Sequence, residues 1–290
     1  MGGVPGTQED AAGATGAAAD PQGWGAVAEL ARQALATGIS GDKLALVAEL
    51  EAQATLLPPS GAARLARAGA APAGMPPLTW VDPRHTPRRN PAGSRGRLAH
   101  LHALAHIEFV AINLALDAAL RFAGLPDAYY VDWLVVAADE ARHFRALRRR
   151  LQDLGADYGD FPVHAGLWDM AEKTAHDPLL RMALVPRTLE ARALEAVPVM
   201  RDKFRRAGDE VSAQLLESIG ADEVGHVARG SRWFFFLGGS NRHQGEELYR
   251  QLLAVHMPRG LKTPLNHPAR LAAGFSPGEL EALERHIATP

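Results

Sequence analysis

Ala138-Asp139-Glu140-Ala141-Arg142-His143 recurs in the chain as Ala221-Asp222-Glu223-Val224-Gly225-His226. Each copy has a further glutamate upstream, Glu108 for the first and Glu190 for the second, at offsets of 32 and 33 residues. On a helix, residues three apart share a face, so Glu140 and His143 can reach one point, as can Glu223 and His226. A lone Glu-x-x-His is a weak signal, but paired copies with a shared Ala-Asp prefix and matched upstream glutamates are hard to obtain by accident.

Glu108, Glu140, His143, Glu190, Glu223 and His226 together have the composition of a carboxylate-bridged two-metal site inside a four-helix bundle. Four carboxylates and two imidazoles bring two divalent ions close to neutrality. Hard oxygen with borderline nitrogen suits iron or manganese. The expected cofactor is two iron ions, or iron with manganese. A metal-bound imidazole usually donates its other N–H to a carboxylate. Asp139 is therefore expected to orient His226 across the bundle, and Asp222 to orient His143.

Hairpin arithmetic supports one level for all six ligands. Leu125-Pro126-Asp127 is a turn signal, with Glu108 18 residues before Pro126 and Glu140 14 after it. A second turn falls at Ala207-Gly208-Asp209, with Glu190 18 residues before Gly208 and Glu223 15 after it. At 1.5 Å per residue each ligand lies roughly 21–27 Å from its turn. The fold class expected is all-α, a four-helix bundle with helices at about 98–124, 127–154, 178–207 and 209–237 and one long crossover at 155–177 holding a short helix near 166–176. Pro198 is expected to kink the third helix two turns past Glu190.

The chain divides further. Residues 1–22 are Gly/Ala-rich and read as a flexible tail. Residues 23–37 and 42–56 carry helical periodicity and form an N-terminal pair. Residues 57–97, rich in Pro, Gly and Arg, read as an extended arm over the bundle with Trp80 as anchor, so that 23–97 precedes a bundle domain at 98–238. Residues 239–290 hold peripheral helices near 243–257 and 277–288.

Composition narrows the function classes. Net charge is −2, so no global basic field argues for nucleic acid. The chain has no cysteine, which excludes disulfides, thiolate metal sites and cysteine nucleophiles. No signal-peptide pattern opens it, and no apolar run was read as approaching the roughly 20 residues of a membrane span. A cytoplasmic protein is expected, with a homodimer left open.

The chain resembles the ferritin-like di-iron carboxylate superfamily, and within it a bacterial family of unknown function. The resemblance rests on Leu101–Glu108, the Glu140 copy, Tyr158-Gly159-Asp160-Phe161-Pro162, Gly166–Met170, Val185–Arg192 and the Glu223 copy continuing to Trp233. It covers roughly residues 78–278. It implies a two-iron or iron/manganese centre able to activate dioxygen. The family is also similar to a tRNA-hydroxylating branch, which implies hydroxylation or oxidation without fixing a substrate.

Other residues read more plainly. His102 and His106 point away from the Glu108 face and are expected to be packing histidines. Trp133 shares the Glu140 face and, with Phe109 and Ile112, is a candidate for lining a substrate pocket, although a core role is the more usual one for an aromatic. Tyr129 and Tyr130 sit at a turn, too far along the helix to be redox partners of the metals. The basic runs Arg145, Arg148–Arg150 and Arg201, Lys203, Arg205, Arg206 lie near helix C-termini, where the dipole favours cations.

The leading expectation is oxidation of a small organic substrate with dioxygen, the electron donor not being legible. The alternatives are a ferroxidase or iron-binding protein, a di-manganese peroxide-disproportionating enzyme, and a scaffold whose site only stabilises the bundle.

Overall fold

Local periodicity and turn chemistry account for most of the helices in the structure, a computed structural model that describes residues 23–86, 93–239, 241–257 and 264–287. The tail expected at 1–22 and residues 87–92 of the arm lie outside these. Among the described residues the protein is all-helical, with a single parallel bridge between Trp80 and Val163.

Helix α1 (Trp24–Ala36) buries Trp24, Val27, Ala28, Ala31, Ala34 and Leu35, a stripe at helical spacing. It pairs with α2 (Ser40–Ala54), and a short α3 (Leu65–Ala68) follows. Two long helices come next, α4 (Ser94–Arg121) and α5 (Asp127–Asp153), packed along their length. Tyr130 Oη donates to the Phe122 carbonyl at 2.9 Å and fixes the turn between them. The crossover carries α6 (Trp168–Lys173). The third long segment begins as α7 (Pro178–Leu184) and resumes as α8 (Ala193–Arg206), beside α9 (Glu210–Gly238). The C-terminal elements are α10 (Arg242–His256), α11 (His267–Ala272) and α12 (Pro277–Ile287).

Caps set several ends. Asp177 accepts from the Leu179 amide at 2.8 Å with Pro178 in the first turn of α7, and Asp209 accepts from the Ser212 amide at 3.0 Å to open α9. Asp209 is also held by Arg150 at 2.8 Å, and Arg148 is spent on Asp157 at 2.7 Å. Arg205 bonds Glu210, so much of both basic runs is paired within the chain.

Helix α4 is long and apolar enough to cross a membrane by length and composition, contrary to the expectation that no apolar run approaches a span. Its apolar surface is buried on nearly all sides, by α5, α1, α3 and the arm. The arm is pinned less by Trp80, which is 37% exposed, than by backbone at Gly74. The Gly74 amide donates to the Leu35 carbonyl at 2.8 Å. A Cβ at Gly74 would lie 2.3 Å from the Ala36 oxygen, so no larger residue fits there.

One expectation about the third helix needs correction: it is not continuous from 178 to 207, and Pro198 lies inside its later part, α8. Val185–Leu189 form a π turn and Glu190–Arg192 a 3₁₀ turn. Pro186 lacks the N–H an α-helix would use there. A Cβ on Gly230 of α9 would lie 2.6 Å from the Pro186 ring, so glycine lets α9 pack against this turn. Such bulges occur often at functional sites, and this one delivers Glu190.

The C-terminal helices are also more than peripheral. Tyr249 Oη of α10 donates to the Arg187 carbonyl at 2.9 Å, while Thr188 Oγ1 donates to the Ala183 carbonyl at 2.7 Å. These bonds satisfy carbonyls that the irregular turn sets free. Arg187 itself is fully buried, paired to Glu279 of α12 at 2.7 and 2.8 Å, with Phe234, Phe235, Tyr249 and Phe275 around its guanidinium. Arg270 of α11 bonds Glu195 of α8 at 2.7 Å.

One further buried cation makes stability pH-dependent. Lys43 of α2 donates to Asn113 Oδ1 at 2.7 Å and to the Ala34 carbonyl, over the ring of Phe109. Burial pushes its pKa down from 10.5 to about 7. Below pH about 7 the amine is charged in both folded and unfolded chains, and the full cost of burying the charge is present. Between about 7 and 10.5 the unfolded chain holds more protons, so this group makes stability rise with pH across that window. Urea midpoints measured across it should climb in the wild type and climb less in Lys43→Met. An equal slope in both would exclude Lys43 as the source.

Candidate metal centre

Glu108 of α4, Glu140 and His143 of α5, and Glu223 and His226 of α9 are all buried at one level of the bundle. Glu108, Glu140, His143 and Glu223 each bring a donor atom within 4.8 Å of the others. His226 Nδ1 lies 2.9 Å from Glu140 Oε1 and 3.8 Å from Glu223 Oε1. His143 Nδ1 lies 3.6 Å from Glu140 Oε2 and 3.9 Å from Glu108 Oε2. Glu140 therefore stands between the two imidazoles and offers one oxygen to each. Glu108 belongs to the His143 side, and Glu223 to the His226 side.

Glu190, on the 3₁₀ turn, is partly exposed as a residue, but its Oε2 is enclosed and has no hydrogen-bond partner. Burial, together with the charges of Glu140 and Glu223, pushes its pKa up to about 8.

The imidazoles are oriented from behind. His143 Nε2 lies 3.0 Å from Asp222 Oδ2, and His226 Nε2 lies 3.1 Å from Asp139 Oδ2. With Nε2 of each ring facing a carboxylate, Nδ1 of each ring faces the cluster. The two supports differ in surroundings. Asp139 is also bonded by Arg142, which bonds Glu51 of α2 at 2.8 Å, whereas the Asp222 side chain is 51% exposed.

The cluster is electrostatically unbalanced by itself. Burial and the charge of Glu140 push Glu108 well above the usual carboxylate range, and the same causes push Glu223 up to about 7. Burial would raise Glu140 as well, but the His226 charge and hydrogen bonds hold it below its ordinary value. At His143 burial works downward and is outweighed by the facing carboxylates of Glu108 and Glu140, which push the imidazole up to about 12. Glu140 Oε2, His143 Nδ1, Glu190 Oε2 and His226 Nδ1 are all buried without a hydrogen-bond partner. Buried polar atoms are nearly always paired. These donors, all on residues of one acidic cluster, fit divalent cations.

The remaining residues singled out in the sequence fall elsewhere. Phe109, Ile112 and Trp133 are core residues, and none lines the cavity found between the arm and the crossover. Phe109 packs on Phe144 and Tyr158, and Trp133 on Tyr129, because the ligand faces of α4 and α5 fill with side chains of neighbouring helices. His102 and His106 hold the crossover to α4. The Gly159 amide donates to His102 Nε2 at 2.8 Å, and His106 Nδ1 lies 2.9 Å from Tyr158 Oη.

Fold and site together define an all-helical protein with a buried carboxylate–histidine cluster at the centre of a helical bundle. The family described as "Protein of unknown function (DUF455)" matches residues 37–281, and the chain belongs to it. An uncharacterized protein of Haemophilus influenzae is 44% identical over 208 residues, covering 69% of this chain and 72% of its own length. No solved structure matches the chain.

Proposed function

We propose that the protein is a ferritin-like di-metal carboxylate oxidase or oxygenase. In this reading Glu108, Glu140, His143, Glu190, Glu223 and His226 hold two iron ions, or iron with manganese. The observation that carries it is Glu140 set between two inward-facing Nδ1 atoms, each imidazole backed by its own aspartate. A carboxylate offering one oxygen to each of two histidines is what a shared ligand between two ions requires.

Two such ions supply the binding and reduction of dioxygen for oxidation or hydroxylation of a small organic substrate. The chain's own part is to hold donors and exclude water. Asp139 and Asp222 keep a proton on each Nε2, so that Nδ1 stays available. The ligand side chains of α4, α5 and α9 are nearly inaccessible, which keeps the site dry and strengthens every charge interaction inside it. Glu190, on a turn that is not α-helical, is the ligand with most room to change position.

The test is metal analysis of anaerobically purified protein, followed by oxygen exposure with optical monitoring. About two iron or manganese ions per chain and an oxygen-dependent visible absorbance change are expected. Assembly into a hollow shell that mineralises iron would favour iron storage. Rapid peroxide disproportionation by manganese-loaded protein would favour the di-manganese reading.

A further inference from the structure

A cavity of about 490 Å³ lies between the arm, the crossover, α4 and α7. Its walls are mainly apolar and include Met75, Trp80 and Trp168. Its charged lining includes Asp117 and Arg121 of α4 and Arg181 of α7. This is not the metal centre. Asp117 is nine residues beyond Glu108, so on α4 it lies about 180° around the helix and about 13.5 Å along it. His106, which meets Trp80 edge-on with ring centres 5.5 Å apart, is on the same outer side. The backbone of α4 stands between the cavity and Glu108.

The polar lining is built, not incidental. Arg181 is 1% exposed and fully engaged: Nε donates to Thr174 Oγ1 at 2.7 Å, Nη1 to Asp117 Oδ2 at 2.6 Å and Nη2 to the Ala171 carbonyl at 2.5 Å. Arg121 spends Nε and Nη2 on the same buried Asp117, at 2.9 and 2.6 Å, which leaves Nη1 over. Two guanidiniums sharing one carboxylate carry a net single positive charge. Asp169 and Glu172 also line the cavity; both are solvent-exposed, where their charges are screened, and Glu172 has one oxygen committed to Trp168 Nε1 at 3.0 Å, so the surplus positive charge is that of the interior Asp117, Arg121 and Arg181 alone.

We infer that this cavity is a second binding site, for a small organic monocarboxylate with an aromatic or branched apolar body. One surplus positive charge and one spare guanidinium N–H match a monoanion, and a guanidinium is suited to a carboxylate. The volume falls within the range of small-molecule sites, and the apolar walls take the ligand body against Trp80. None of its residues is a proposed metal ligand, although Arg181 lies close enough to Glu190 for its charge to act on that carboxyl.

Titration calorimetry of the full chain with phenylacetate, phenylacetamide and phenethylamine tests it. Phenylacetate should bind saturably with Kd below about 1 mM, and the amide at least about tenfold more weakly. Arg121→Gln should weaken phenylacetate about tenfold or more, while Asp117 stays paired to Arg181 and the fold is kept. Trp80→Leu should weaken acid and amide alike, as loss of an apolar wall. Equal affinity for acid and amide, preference for the amine, or no saturable binding would overturn the proposal.

Discussion

Glu140→Ala protein, loaded anaerobically with ferrous iron and desalted, is expected to hold less than one ion per chain where the wild type holds about two. Glu223→Ala is expected to keep about one. The difference follows from position. Glu140 offers an oxygen to both imidazoles, so its loss damages both halves of the site, whereas Glu223 has His226 as its nearest imidazole, at 3.8 Å. Both variants should retain the wild-type far-ultraviolet circular dichroism, because the bundle is held by apolar packing and not by the cluster. Removing one of several crowded carboxylates also relieves repulsion in the metal-free chain. Two ions retained in both variants would remove these residues from the ligand set. Equal losses in both would refute the bridging position of Glu140.

Glu279→Ala is expected to cost about 3–5 kcal/mol, because it leaves Arg187 charged and unpaired inside an aromatic enclosure. Arg187 is 0% exposed and cannot reach water without opening α12. The expected fall in Tm is roughly 5–15 °C. Combining Glu279→Leu with Arg187→Met should recover most of that loss, since no buried charge then lacks a partner. The pair of thermal scans separates an electrostatic cause from simple loss of packing. A Glu279→Ala protein as stable as the wild type would show that the pair contributes nothing.

Much of the candidate site was legible because its signals are local. Helix rise and turn position placed Glu108 opposite Glu140 and Glu190 opposite Glu223 before any coordinates, and residues three apart had to share a face. The donor types followed from composition. The aspartate beside each Glu-x-x-His is a neighbour in sequence, and the crossed pairing with the opposite histidine follows once two such helices face each other. What covers the ligand faces was not legible. Phe109, Ile112 and Trp133 lie on or near those faces, but the side chains against them come partly from other segments, and Tyr158 and Phe144 pack at Phe109. The break in the third helix was not legible for a related reason: three prolines lie in that segment, and the one at the break, Pro186, is the one packed against Gly230.

By itself the sequence determined that this chain is helical, where its hairpins turn, and which carboxylates and imidazoles share helix faces, because periodicity and turn chemistry act over a few residues. Tertiary structure alone decided which glutamate stands between the histidines. Glu140 and Glu223 occupy equivalent places in the two repeats, and only the packing of α5 against α9 makes them inequivalent. It also decided that the segment carrying Glu190 is a π and 3₁₀ turn held by Tyr249 and the Arg187–Glu279 pair. Those contacts join residues 62 and 92 positions apart. Their energies depend on burial and on several rings meeting at one guanidinium, which no local pattern of residues encodes.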